Sequence, residues 1–578
     1  MRWIRLSAAF LFFMLLLSGC SAPGSEGETE TVPKGDDRMI LADRGETKYT
    51  IVYPTGADNT IRNSVKMLEN VFRNYYGVSI TTEPDDDRKN DPSEYEILIG
   101  QTNRAESVCE LDLKFNDYYI GVKGKKVVIT GMVPASVSAA VEYFITSSIK
   151  ATSGSAKGGT MQLPSGYTYV YSASYPLSAV RMGTVDLSSF SLVVSRTASD
   201  AETALASGIQ KLVGSASGVI LPIRNDRTSE TEHEILIGKT TRPLSGQYYS
   251  NQSPVDVSLY AFHYVNGSMI VVVGGDEASE AALKYFEKSI KSGKGEYNML
   301  SLDGKSFITE IGDTERYAGT DLRLMSNNIL MTPNKTPYTV AERGRLLAKV
   351  YRAYLPDILC LQEADSLWYP YLSENLGDLY SFVVVAPEGK DWTRNLNPIL
   401  YRKDLFEVLE SDCYKTKDYP FNSEVTWAVL RERANQKVYI IYNIHLLVDS
   451  LSPTAELHRQ ASTEIILNKI RQLKTKYATE YAFVMGDFNA VESTKTYAMF
   501  TSEMCDAKYV AEVRSNTTLN TGHTIGSAPE AVSAGARNYD YIMVNGDAVR
   551  VMTHDIVTNE FALNGTDHCP VTVDVILK

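Results

Sequence analysis

Several apolar runs in the last 260 residues each end in a group able to bind a cation or move a proton. Asn328 closes LRLMSNN, Glu363 follows the run Ile358–Leu361 in PDILCLQE, and VYIIYNIHL carries Asn443 and His445. YAFVMGDFN ends with Asp487 and Asn489, Asp540 starts the strand in NYDYIMV, and Asp567-His568 stand just before the last run in GTDHCPVTVDVIL. Carboxylates and amides are the oxygen ligands a hard divalent cation takes, and histidines beside them suit proton transfer. A zinc centre does not fit, because there is no CxxC and no HExxH, and Cys360, Cys413, Cys505 and Cys569 are scattered. Singly, each feature has a plain structural reading: Gln362-Glu363 as a solvated strand end, GDFN as a turn, His445 as a core histidine. In this order along the chain, they read jointly as one functional set.

Uninterrupted apolar runs imply strands buried on both faces, as in stacked sheets, whose ends bring polar groups to one edge. The set resembles the endonuclease/exonuclease/phosphatase superfamily, the deoxyribonuclease-I-like fold, over residues 319–578. That resemblance implies a four-layer α/β/β/α sandwich and Mg²⁺ or Mn²⁺ as cofactor, with Asn328, Glu363 and Asp567 on the metal side. It implies further that His445 contacts the scissile phosphate, with Asn443 near the substrate. Asp487 would orient or activate the attacking water, Asn489 would hold the phosphate, and Asp540 would steady the acid/base His568. LHRQASTEIILNKI, with Arg459 and Gln460, is similar to a helix of the same family. Ile444, Thr566 and Tyr539 depart from the pattern without removing a functional group. The implied reaction is in-line hydrolysis of a phosphate ester, with Asp487 and His568 both open as the base.

Upstream the chain repeats itself. EYEILIGQTNR at 94–104 returns as EHEILIGKTTR at 232–242, with eight of eleven positions identical. KVVITG at 126–131 and MIVVVGG at 269–275 correspond, as do VSAAVEYFITSSIK at 137–150 and SEAALKYFEKSIK at 279–291. Two small α/β domains are therefore expected, at 46–175 and 176–318, each with helices against a small sheet. The pattern resembles the accessory domain of glycoside hydrolase families 20 and 67, which implies a spacer or glycan-binding role. Gly100 and Gly238 read as turn glycines, and His233 and His263 as structural or surface residues.

Residues 1–20, MRWIRLSAAFLFFMLLLSGC, carry Arg2 and Arg5 before twelve apolar-rich residues from Leu6 to Leu17. That run is too short to span a bilayer and reads as the core of a signal peptide that occupies residues 1–19. Leu17-Ser18-Gly19-Cys20 resembles a bacterial lipobox, which implies lipidation at Cys20, a flexible tether over 20–45 and an extracytoplasmic, membrane-anchored protein. The net charge of −13 excludes a generally basic, polyanion-coating protein, and six cysteines exclude a disulfide scaffold. Residues 319–578 hold 26 basic and 32 acidic side chains, so no strong nucleic-acid footprint is present. Arg431 and Arg433 form the nearest small basic cluster. The expected partner is a phosphate-ester substrate, on nucleic acid, nucleotide, lipid or glycan. Two other classes stay open: a surface glycan-binding protein that works through its duplicated domain, and an anchored interaction protein with a vestigial hydrolase.

Overall fold

The computed structural model describes residues 27–32, 37–86, 92–108, 110–150, 158–249, 254–332, 334, 336–383, 396–415, 424–532 and 538–578. The signal segment and Cys20 lie outside the described residues. Among the described residues, no helix is long and apolar enough to cross a membrane. The chain forms two compact units. One runs to Arg242 and adds Phe262–Val271 and Ala282–Lys305; the other comprises Pro243–Ala261, Val272–Ala281 and Ser306–Lys578. These units cut across the boundary expected at 318/319.

In the first unit, four parallel strands lie in the order Thr81–Pro84, Thr50–Tyr53, Glu96–Ile99 and Lys126–Gly131. Helices Asn59–Val71 and Pro134–Tyr143 bury Ile61, Val65, Leu68, Val137, Ala140 and Val141 with Ile51, Ile97, Ile99, Val127 and Ile129. The repeated segment gives the same parallel order with Ile223–Asn225, Ser191–Val194, Glu234–Ile237 and Ser268–Val273. The repeated motif does the same structural work twice. Arg104 pairs with Glu96 at 3.1 Å and Arg242 with Glu234 at 2.7 Å, in each case reaching back to the glutamate that opens the strand. Gly100 and Gly238, at φ of 79° and 67°, make the turn between them. Part of the expected tether is strand instead: Gly27–Thr31 pairs with Thr168–Ser172, and Arg38–Ala42 with Met161–Pro164. Leu41 and Ala42 are buried there, an apolar ending that the polar composition of 20–45 masks.

In the second unit, two sheets face each other. One has seven strands in the order Tyr380–Val383, Ile399–Arg402, Ile358–Gln362, Leu322–Asn328, Val571–Leu577, Val549–Ile556, Val513–Ser515. The other has six, in the order Phe406–Lys415, Glu424–Glu432, Val438–His445, Ala482–Asp487, Asp540–Val544, Cys505–Asp506. Side chains alternate along each strand. Leu322, Leu324, Ile358, Cys360, Tyr439, Ile441, Phe483, Met485 and Ile542 fill the space between the sheets. Their neighbours face outward: Met325, Leu359 and Leu361 pack under helix Val340–Tyr354, and Ile440, Tyr442 and Val484 under helix Ala455–Tyr477. The result is the helix/sheet/sheet/helix sandwich, with strands apolar on both faces.

Candidate active site

The alternation that fills the core also aims the polar groups. Asn328 is in step with Leu322 and Leu324, His445 with Tyr439 and Ile441, Asp487 with Phe483 and Met485, and Asp540 with Ile542. Each therefore turns into the space between the sheets, at the end where that space opens. Strand pairing sets His445 opposite Asp487 and Asp487 opposite Asp540, in one row across the sheet. Gly486 permits this close pairing: its φ is 147°, and a Cβ there would lie 1.9 Å from the Ile444 carbonyl oxygen.

The resulting cleft, of about 290 Å³, is lined by Glu363, His445, Asp487, Asn489, Asp567 and His568, with Leu446, Val448, Gly522, His523 and Tyr539 around them. His568 Nδ1 lies 2.8 Å from Asp540 Oδ2 and 3.9 Å from Asp487 Oδ2. Burial disfavours charge on His568, but the carboxylates of Asp540, Asp487 and Asp567 outweigh it and hold the imidazole pKa well above its ordinary value. His445 Nε2 sits 3.7 Å from Asp487 Oδ2 and 4.0 Å from Glu363 Oε1. Burial and the neighbouring Asp540 push the Asp487 carboxyl above the usual range. Burial also works against charge on Glu363, yet His445, the Met331 N–H and the Asn328 amide more than offset it, and its pKa falls. Asn489 donates its main-chain N–H to Asp487 Oδ1 at 2.8 Å and its amide to the Leu446 carbonyl at 2.9 Å. Leu330, Glu363 and Asn489 all have left-handed backbones, with φ of 56°, 62° and 46°, a concentration of strain typical of functional sites.

Two expected roles change. Asn443 does not line the cleft. It lies one side-chain step deeper than His445, donates to the Leu361 and Pro398 carbonyls at 2.8 Å each, and accepts from Gln362 Nε2 at 2.7 Å. A fully buried amide so engaged ties the two sheets together and is unavailable to substrate. Asn328 offers Glu363 and Asp487 its Nδ2, at 3.0 and 3.1 Å, while its Oδ1 accepts the Leu330 N–H. In this orientation it braces the two carboxylates instead of presenting an oxygen beside them.

A divalent cation fits the donors present. Asp567 Oδ1 is a buried carboxylate oxygen without a hydrogen-bond partner among the described residues, and burial, with the Glu363 charge, raises its pKa against the lowering pull of His568. Asp487, Asp540 and His568 also bring one donor atom each within 4.8 Å of one another. The ring nitrogen of that trio already faces Asp540.

Sequence reasoning passed over His523. Its segment pairs with the end of the chain: Gly522 bridges His568, the His523 N–H donates to the Asp567 carbonyl at 2.8 Å, and the Cys569 N–H donates to the Thr521 carbonyl at 2.8 Å. Its Nδ1 donates to the Thr524 carbonyl at 3.0 Å, and burial lowers its pKa. Nothing in the turn-rich TLNTGHTIGS distinguishes it from a loop histidine.

No curated protein matches the chain. Among solved structures, it is similar to an endonuclease/exonuclease/phosphatase from Bacteroides vulgatus, at 23% identity over 45% of this chain and 100% of that one, with a TM-score of 0.38. It is also similar to a mannosyl-6-phosphatase from Bacteroides thetaiotaomicron, at 19% identity over 44% and 100%, TM-score 0.37. The catalytic domain of human Nocturnin with bound sulfate gives 20% identity over 45% and 94%, TM-score 0.35. Residues 325–568 match the Endonuclease/Exonuclease/phosphatase family. The C-terminal part of this chain is therefore a domain of that family, whose members are phosphoesterases or nucleases.

Proposed function

We propose that this protein is a divalent-metal-dependent phosphoesterase, acting outside the cytoplasm from a lipid anchor at Cys20. The observation that carries the reading is the convergence of Glu363, His445, Asp487, Asn489, Asp567 and His568 on one cleft, with His568 held 2.8 Å from Asp540. Glu363 and Asp567 would hold Mg²⁺ or Mn²⁺, which when bound neutralises charge on phosphoryl oxygens. His568, kept protonated by its carboxylate neighbours, lacks a free lone pair, so it serves as positive charge or proton donor towards the phosphoryl group. Asp487, with its pKa raised, is the better placed acceptor for the proton of the attacking water. Asn489 and His445 border the same space and bind the scissile phosphate. The phosphorus–oxygen bond to the alcohol breaks as the water oxygen bonds to phosphorus.

The test is hydrolysis of bis(p-nitrophenyl) phosphate and p-nitrophenyl phosphate by the full chain. Turnover that requires Mg²⁺ or Mn²⁺, and that is abolished by a chelator and restored by the metal, supports the proposal. Metal-independent turnover, or none on these probes or on nucleic acid, phospholipid and sugar phosphates, contradicts it.

A further inference from the structure

Arg343 lies on helix Val340–Tyr354 and is only 1% exposed. Buried arginines are ordinarily matched by a carboxylate, as Arg323 is by Asp574 at 2.6 Å. No described carboxylate pairs with Arg343. Its Nε donates to the Gly565 carbonyl at 2.9 Å, and its Nη2 to the Leu330 carbonyl at 2.6 Å and to the Ile329 carbonyl. The guanidinium also stacks 4.8 Å from the Trp368 ring, and Trp368 Nε1 donates to the same Leu330 carbonyl at 3.2 Å.

These carbonyls belong to the two segments that build the metal side of the cleft. Leu330 has a left-handed backbone, unfavourable for a side chain that carries a Cβ. Its N–H meets Asn328 Oδ1 at 3.0 Å, and the next N–H, of Met331, meets Glu363 Oε2 at 2.9 Å. Gly565 ends helix Glu560–Gly565; Thr566 Oγ1 then donates to the Asn328 carbonyl at 2.6 Å, and Asp567-His568 follow. We infer that Arg343 is a positioning residue: one planar fork fastens the Ile329–Leu330 turn and the Gly565 turn together, and so fixes Glu363 and Asp567 relative to each other. Charge-assisted bonds to three carbonyls outlast the strain at Leu330. The inference rests on the phosphoesterase reading of the cleft.

Burial drives the Arg343 pKa down to about 10, so the side chain is still charged at neutral pH. Lysine would keep that charge but replace the fork with one tetrahedral nitrogen, which does not match carbonyls on two segments. The test compares Arg343→Lys, Trp368→Phe and, as a control, Arg323→Lys in the full chain. Manganese binding is read by electron paramagnetic resonance with the metal alone, together with kcat, KM and thermal unfolding. Arg343→Lys is expected to weaken Mn²⁺ binding about 10- to 100-fold and to lower kcat by a similar factor, with KM little changed. Trp368→Phe should move both in the same direction by less. Arg323→Lys should lower the unfolding temperature while leaving Mn²⁺ affinity and kcat alone.

An Arg343→Lys protein with wild-type Mn²⁺ affinity and kcat overturns the inference, as does an Arg323→Lys protein that loses both equally. Should Arg343→Lys fail to fold, unchanged Mn²⁺ affinity in Trp368→Phe overturns it. A wild type that binds Mn²⁺ through an Arg343-dependent site yet hydrolyses no phosphate ester supports this inference and contradicts the phosphoesterase reading instead.

Discussion

At the scale of single residues, position along a strand decides whether a polar group is chemistry or scaffold. His445 and Asn443 share a strand and a face, yet only His445 reaches the cleft, because it stands at the strand's last position. Asn443, one step further in, bonds both sheets. Asn443→Ala should therefore cost about 2–3 kcal/mol of stability, since Gln362 and two carbonyls each lose one buried hydrogen bond. Urea denaturation measures that loss, while KM of the folded enzyme should not change. The residue types at strand ends were legible in the sequence, because their order carries the resemblance. Depth was not, because periodicity gives the face and not the distance from the sheet's edge. His523 was illegible for a different reason. It is brought in by a β-bridge between segments far apart in sequence, and no local pattern announces such a pairing.

At the scale of elements, strand apolarity on both faces was enough to anticipate stacked sheets, while the flanking helices were anticipated from the family resemblance. The repeated EILIG motif shows what remained hidden: its terminal arginine folds back to the glutamate that opens the strand, a structural pairing rather than a binding site. Strand Val549–Ile556 carries a further consequence. His554 is buried on it, and burial, with Lys508 and Arg514 nearby, pushes its pKa down to about 3. A depressed folded-state pKa gives stability that is present above the unfolded value near 6.5 and is lost as pH falls towards 3. Between pH 6 and 4 this group should remove about 1.4 kcal/mol per pH unit. His554→Gln should flatten that part of the stability–pH curve measured by denaturation; an unaltered slope would count against the assignment.

At the scale of the whole molecule, the net charge of −13 and the carboxylates of the cleft belong together. An acidic chain does not gather polyanions by its overall field, so under the proposed function a phosphate ester would be held by local groups and the proposed metal. Composition could not give the limits of the two units, since strands such as Arg38–Ala42 lie in a segment of tether-like character. The proposed anchor makes its own prediction: Cys20→Ser should shift the protein from the detergent phase to the aqueous phase in a partition assay. Persistence in the detergent phase would remove the lipidation claim without touching the chemistry.

The central claim is that Asp487 and His568 perform phosphoester hydrolysis in the cleft they share. Its most direct test is the turnover of bis(p-nitrophenyl) phosphate with saturating Mg²⁺ by Asp487→Ala and His568→Ala, each verified as folded by near-ultraviolet circular dichroism. Each substitution should lower kcat by about 10²–10⁴-fold. Wild-type turnover by either folded variant would contradict the account.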